Sequence, residues 1–249
     1  MSDRILLIET STALCSVALA EEGRITASRE SVEPRAHAVL TAPFVQQVLE
    51  ERGFRAADLD AVCVSAGPGS YTGLRVGVST AKGVCFAAGV PLLSVGTLDV
   101  LVAQARAEGL LPAGCRYVIP MIDARRMEVY TAVFTPDGQR LTEVEPRVID
   151  AESFGRERAE GPVLFIGDGA GKCSETLAGA DAHFVQDQPP AVCSQGTFPV
   201  SSRPGAGRTV PRIGGRSRPE ELSRCAGSIY ARLRREFPFR YQQSFPQLW

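Results

Sequence analysis

One stretch restricts the fold more than any other: the apolar run Leu59 to Ser65 passes directly into Ala66-Gly67-Pro68-Gly69-Ser70-Tyr71-Thr72-Gly73-Leu74-Arg75. A short apolar run bounded by glycine and proline reads as a buried strand. The residues from about Thr72 to Ala88 read as a helix, so a strand, a tight turn and a helix follow one another. That mixture predicts an α/β protein. The turn itself admits two readings. Glycines at a strand end that opens a helix can hold an anion on backbone N–H groups and the helix dipole. Gly67, Pro68, Gly69, Ser70, Thr72 and Arg75 would then be an anion- or nucleotide-facing loop. The plainer reading is a close strand-to-helix turn. The spacing fits neither the Walker loop, which needs Gly-Lys-Ser/Thr, nor Gly-x-Gly-x-x-Gly.

Strands and helices alternate on both sides of this turn. Ile5 to Ile8 reads as a buried strand ending at Glu9, followed by the polar turn Thr10-Ser11-Thr12 and by strands over Cys15–Ala20 and Arg24–Ser28. The spacing of Leu40, Phe44, Val48 and Leu49 predicts a helix over 36–52, with Gly53 as its cap and a kink at Pro43. A strand over Pro91–Val95 and a helix over Thr97–Ala107 follow. The pattern then restarts: Tyr117 to Ile122 ends at Asp123, and Glu128 to Phe134 alternates as a strand. The sequence strand, acid, polar turn, strand thus occurs twice, around Glu9 and around Asp123, which suggests two related lobes. The predicted division is a first lobe over 1–108, a smaller one over 109–190 and a separate segment over 191–249.

That last segment differs in composition. From Ala191 onward there are ten arginines and three glutamates, with no lysine or aspartate, so it carries +7 while residues 1–190 carry −8 and the whole chain −1. Ser194 to Pro219 is rich in glycine, proline, serine and arginine, a composition that buries too little surface to order itself. Two readings stand: a basic tail that touches RNA, or a slip of reading frame in the gene near Pro190. The near-neutral total excludes a chain that attracts nucleic acid by its overall field. The apolar run at the amino terminus ends at Glu9, too early for a signal peptide. The stretch Val84 to Val95 is broken by Gly89 and Pro91 and falls short of the roughly 20 apolar residues that span a membrane. The expectation is a cytoplasmic protein without a membrane segment. Seven cysteines with no C-x-x-C pair suggest neither a disulfide framework nor structural zinc.

Few residues carry recognisable chemistry. His37 and His183 are the only histidines and stand too far apart in sequence for a metal motif. Gly167 to Lys172 imitates a phosphate loop, but Ile166 and Cys173 stand where a Walker loop needs glycine and Ser or Thr. No nucleophile–base arrangement stands out, so neither a catalytic residue nor a metal or cofactor is expected. Glu9 and Asp123 would make a pair of acids across a cleft between the lobes, or would simply end their strands in solvent. Gly73, Gly77 and Ala81 recur every fourth residue, a small-residue stripe that packs either on the protein's own sheet or on a partner helix.

Several of these runs together resemble the bacterial TsaB (YeaZ) family: Ile5-Leu-Leu-Ile-Glu-Thr-Ser-Thr12, Cys15-Ser-Val-Ala-Leu19, Arg35-Ala-His37 leading to Pro43, Gly67 to Arg75 followed by Gly77, Ala81, Lys82 and Gly83, and Ile122-Asp-Ala-Arg-Arg-Met-Glu-Val-Tyr130. The likeness covers residues 4–175 and is most specific at Gly67–Arg75. It implies a two-lobed, RNase H-like fold of the actin, sugar-kinase and Hsp70 type. It also implies a non-catalytic scaffold in the synthesis of N6-threonylcarbamoyladenosine (t6A) beside the tRNA anticodon. In that system a TsaC-type enzyme supplies threonylcarbamoyl-adenylate. The TsaB-like subunit pairs with the catalytic TsaD-like subunit, recruits the TsaE-like ATPase, meets tRNA through the complex and forms a homodimer when alone. The resemblance implies an interface on the helices over 36–52 and 72–88, here with His37, Gly73, Gly77 and Ala81. The chain departs from actin-like nucleotide sites in carrying Glu9 instead of aspartate, which argues against an ATP-dependent kinase-like enzyme. The family's closing E-P-x-Y-type segment is not found. A peptidase-like (glycoprotease) reading ranks last, because no metal ligands or nucleophile support it.

Overall fold

The computed structural model describes residues 4–186 and 189–190. Both readings of the segment 191–249 therefore lie outside the described residues. The first half opens with an antiparallel meander of β1 (Arg4–Glu9), β2 (Cys15–Glu21) and β3 (Arg24–Ser31). Helix α1 (His37–Glu51) leads to β4 (Ala61–Ser65), and α2 (Tyr71–Ala88) leads from there to β5 (Leu92–Val95). Strand β4 lies parallel to β1, and β5 parallel to β4, giving the order β3-β2-β1-β4-β5. Both helices cover one face of this sheet, where Leu6, Ile8, Val17, Val62 and Val64 meet Phe44, Val48, Leu49 and Ala81. The predicted helix cap is present: Gly53 takes φ 69° and donates its N–H to the Glu50 carbonyl at 3.0 Å. Helix α1 runs on through Pro43, which lies on its exposed side.

Helix α3 (Thr97–Ala107) leads to the second half. There β6 (Tyr117–Asp123), β7 (Glu128–Thr131) and β8 (Glu145–Val148) form a second antiparallel meander. After the short helix α4 (Gly155–Ala159), β9 (Val163–Gly167) pairs with β6 in parallel, and α5 (Ala170–Cys173) leads to β10 (Ala182–Gln186), parallel to β9. Read from its meander, this sheet is β8-β7-β6-β9-β10, the plan of the first sheet repeated. This doubled plan is an α/β architecture of two sheets built to one design, each opening on a meander and adding parallel strands. Helix α3 packs on the second sheet: Leu98, Leu101 and Ala105 are fully buried against Val118, Ile122, Phe134 and Leu164. Among the described residues no helix is long and apolar enough to cross a membrane.

The small-residue stripe of α2 is spent on this framework. Gly73, Gly77 and Ala81 are all buried, Ala81 fully, on the face of α2 turned to the first sheet. A Cβ on Gly73 would fall on the Thr10 carbonyl oxygen, and one on Gly77 on the Thr10 hydroxyl. The stripe offered by the sequence as a partner surface is thus the bed on which β1 ends. Where backbone meets backbone, a methyl cannot be accommodated by a rotamer change. Gly73→Ala is expected to cost about 1–3 kcal/mol of stability, read from a lower urea midpoint with an unchanged slope.

Candidate functional site

The end of β1 is the place to look for chemistry, because β1 and β4 finish side by side and the loop Gly67–Arg75 crosses above them. Glu9 is fully buried there. The Ser11 N–H donates to Glu9 Oε1 at 2.6 Å, and Ser65 Oγ donates to Glu9 Oε2. Burial pushes this carboxyl above its usual range, against the hydrogen bonds from Ser11 and Ser65, which pull it down. The loop closes the site from outside. The Ser70 N–H donates to the Ser11 carbonyl at 2.6 Å, and Ser70 Oγ caps α2 by accepting the Gly73 N–H at 3.3 Å. The Gly67 carbonyl accepts the Thr97 N–H at 2.9 Å, and the Gly67–Pro68 bond is cis. Two of the N–H groups that an anion would use, those of Ser70 and Gly73, are therefore engaged within the protein. Ser70, Thr72 and Arg75 face outward, while Gly67, Pro68 and Gly69 are half-buried.

Asp123, the counterpart of Glu9 at the end of β6, has a different setting. Partial burial alone would raise its carboxyl, but the Lys172 ammonium and the Arg125 N–H outweigh that and hold it below the usual range. Its own N–H donates to Asp168 Oδ1 at 2.9 Å. The two acids belong to separate networks on separate sheets, one sealed and one ion-paired. Lys172, which the sequence suggests only as part of an imitation phosphate loop, is the residue that neutralises Asp123. His37 begins α1 half-buried, and its carbonyl accepts the Thr41 hydroxyl at 2.6 Å. His183 lies exposed on β10. Burial raises the cysteine thiols, Cys63 to about 12 and Cys85 to about 11, which makes them inert packing residues at neutral pH.

The open surface of the first half lies on the outer sides of α1 and α2. A groove of about 420 Å³ is lined by Ala38, Thr72, Arg75, Val76, Ser79 and Thr80. A second, of about 400 Å³, continues between the helices past Ala42, Gln46, Leu49, Thr80 and Val84. Large apolar side chains stand in solvent on these helices: Val39 is 70% exposed, and Tyr71 and Phe86 are each 65% exposed. The Arg75 guanidinium lies over the Tyr71 ring at 5.2 Å. The sequence does signal this face, since Thr72, Val76, Ser79, Gly83 and Phe86 recur at helical spacing opposite the glycine stripe.

Fold and site together define a two-lobed α/β protein whose first-lobe acid is sealed and whose paired helices offer small and apolar residues outward. The family described as "TsaD: tRNA N6-adenosine threonylcarbamoyltransferase" matches residues 25–177. The tRNA threonylcarbamoyladenosine biosynthesis protein TsaB of Bacillus subtilis is 33% identical over 168 residues, 66% of this chain and 70% of that protein. The TsaB of Escherichia coli K12 is 38% identical over 134 residues, 54% of this chain and 56% of that protein. The matched stretch thus spans about half to two thirds of the curated relatives' length. A structure of YeaZ from Pseudomonas aeruginosa is similar with a TM-score of 0.64 and 30% identity, over 76% of this chain and 86% of that one. The chain belongs to the TsaB (YeaZ) family.

The buried acid has a measurable consequence. A carboxyl whose folded pKa lies above its unfolded value of 4.5 adds stability that is complete below 4.5 and is lost as the pH rises through the folded value. Glu9→Gln keeps an acceptor for the Ser11 N–H without a charge. The variant should lose that part of the pH dependence above 4.5 and be at least as stable as the wild type at pH 8, as read from denaturant melts across a pH series.

Proposed function

We propose that this protein is a non-catalytic scaffold subunit in the formation of N6-threonylcarbamoyladenosine on tRNA, acting in the cytoplasm as the partner of a TsaD-like catalytic subunit. The observation that carries the reading is the outward face of α1 and α2, where Ala38, Ala42, Thr72, Val76 and Ser79 line a groove between two helices. Small side chains let another helix approach closely, and the exposed Val39, Tyr71 and Phe86 supply apolar area at its margins. His37 stands at one end of this face, at the start of α1. The names of the relatives supply the pathway, and the acid sealed under Ser11 and Ser65 supports a supporting role over a catalytic one.

In this reading the TsaD-like subunit covers the groove, a TsaE-like ATPase joins the pair, and tRNA meets the complex. Two copies of the chain cover the same apolar face when the partner is missing. No cofactor of its own is needed. The competing reading, an actin- or sugar-kinase-like ATP-dependent enzyme, asks Glu9 or Asp123 to serve a nucleotide; the first is buried and the second is paired with Lys172. A peptidase-like role has less support still.

The test replaces residues on the outer face, because Gly77 sits on Thr10 and a bulky residue there would report on folding. Ser79→Arg and Ala42→Arg are both exposed changes and should leave the thermal midpoint within about 2 °C of wild type. Each should weaken association with the TsaD-like protein of the same organism at least about tenfold by light scattering and calorimetry. Each should also lower threonylcarbamoyladenosine in a reconstituted reaction, followed by nucleoside mass spectrometry. Wild-type affinity in both variants would rule the face out.

A further inference from the structure

The hairpin between β6 and β7 joins the two parts of a run that the interface does not use, Asp123-Ala124-Arg125-Arg126-Met127-Glu128. Arg125 and Arg126 take φ values of 72° and 48°, the left-handed region that glycine and asparagine occupy with least cost. The tight hairpin turn requires this backbone, and it sets both long side chains in solvent. The loop is held firmly from below. The Ala124 N–H donates to the Glu128 carbonyl and the Glu128 N–H to the Arg125 carbonyl, each at 3.1 Å. The Arg125 N–H donates to Asp123 Oδ1 at 2.9 Å, and the Lys172 ammonium donates both to Asp123 and, at 2.7 Å, to the Glu128 carbonyl.

The turn and its base bring together three acids, Asp123, Glu128 and Asp168, and three bases, Arg125, Arg126 and Lys172. Lys172 matches Asp123, the acid nearest the turn, and Asp168 spends one oxygen on the Asp123 N–H. Neither the Arg125 nor the Arg126 guanidinium is in an ion pair with a described residue. Two exposed guanidiniums on successive residues of a hydrogen-bonded turn suit phosphate oxygens, which they can engage through paired N–H donors. At the corresponding place in the first half, the loop after Glu9 is buried and uncharged, with Thr10 and Ser11 almost inaccessible.

We infer that Arg125 and Arg126 form a phosphate-contact site of the second half, which engages the RNA backbone of the tRNA substrate. This rests on the reading that the protein works in a tRNA-modifying complex. The contact positions the RNA without reading its bases, and it releases counterions when formed.

The test uses the full chain in complex with its TsaD-like partner and a fluorescently labelled tRNA, with anisotropy measured over a salt series. The informative variant is Arg125→Asn combined with Arg126→Gly, which removes both charges and supplies residues that tolerate positive φ. It should melt at or above the wild-type temperature and bind the partner normally. Its tRNA affinity should fall about tenfold near 0.1 M salt, with the slope of log affinity against log salt shallower by about 1–2. A second variant, Arg125→Lys with Arg126→Lys, keeps the charges and should retain most of the slope. A stable Asn-Gly variant with unchanged affinity and slope overturns the inference alone. A variant that loses ATP binding while keeping tRNA binding also overturns it, in favour of nucleotide phosphates. A wild-type complex that binds no tRNA overturns this inference together with the function proposed above.

Discussion

The first half is organised around the contact of helix α2 with the end of strand β1, where Gly73 and Gly77 let Thr10 lie against helix backbone with no side chain between them. That approach fixes the rest. It brings the Ser70 N–H within 2.6 Å of the Ser11 carbonyl, so the loop from Gly67 folds down over the strand ends. It sets Ser65 against Glu9 and leaves the carboxylate with protein donors in place of water. A charge removed from water is tolerated only when hydrogen-bonded or neutralised; Glu9 accepts from Ser11 and Ser65, while burial raises its pKa. Because one side of α2 is committed inward by small residues, its other side stands outward next to α1, and this second side is available to a partner.

Much of this was legible in the sequence, because local chemistry specifies it. The apolar run into Gly67–Arg75 forecast the strand-to-helix turn, Gly53 forecast the end of α1, and the restart at Tyr117 forecast the repeated plan. The weaker elements left little signal. Strand β8 reads Glu-Pro-Arg-Val and is held by pairing with β7, not by an apolar face, while α4 and α5 are too short to show a period. The direction of the glycine stripe was the harder matter. A row of glycine and alanine says that something comes close but not what, and only the positions of Thr10 and β1 decide that it is the protein's own backbone. In the same way, Glu9 and Asp123 are alike in sequence position, yet complete burial of the one and the Lys172 ammonium beside the other, 49 residues away along the chain, give them opposite pKa directions.

The divergence of the two halves follows from the helices that come after their central parallel strands. Helix α2 has 18 residues and α5 has four, about 27 Å against about 6 Å of helix at 1.5 Å per residue. A long helix with a capped start and glycines on its inner face can lie across the strand ends and bury the first hairpin loop. The short helix cannot reach over the second hairpin. It closes only the base, through one lysine, so the turn beyond Asp123 leaves Arg125 and Arg126 exposed. One architecture used twice therefore yields a first half whose acid is sealed and whose helices face outward, and a second half whose turn holds Asp123, Arg125 and Arg126 in solvent. A difference of fourteen residues in the length of one helix separates the sealed end of β1 from the exposed turn after β6.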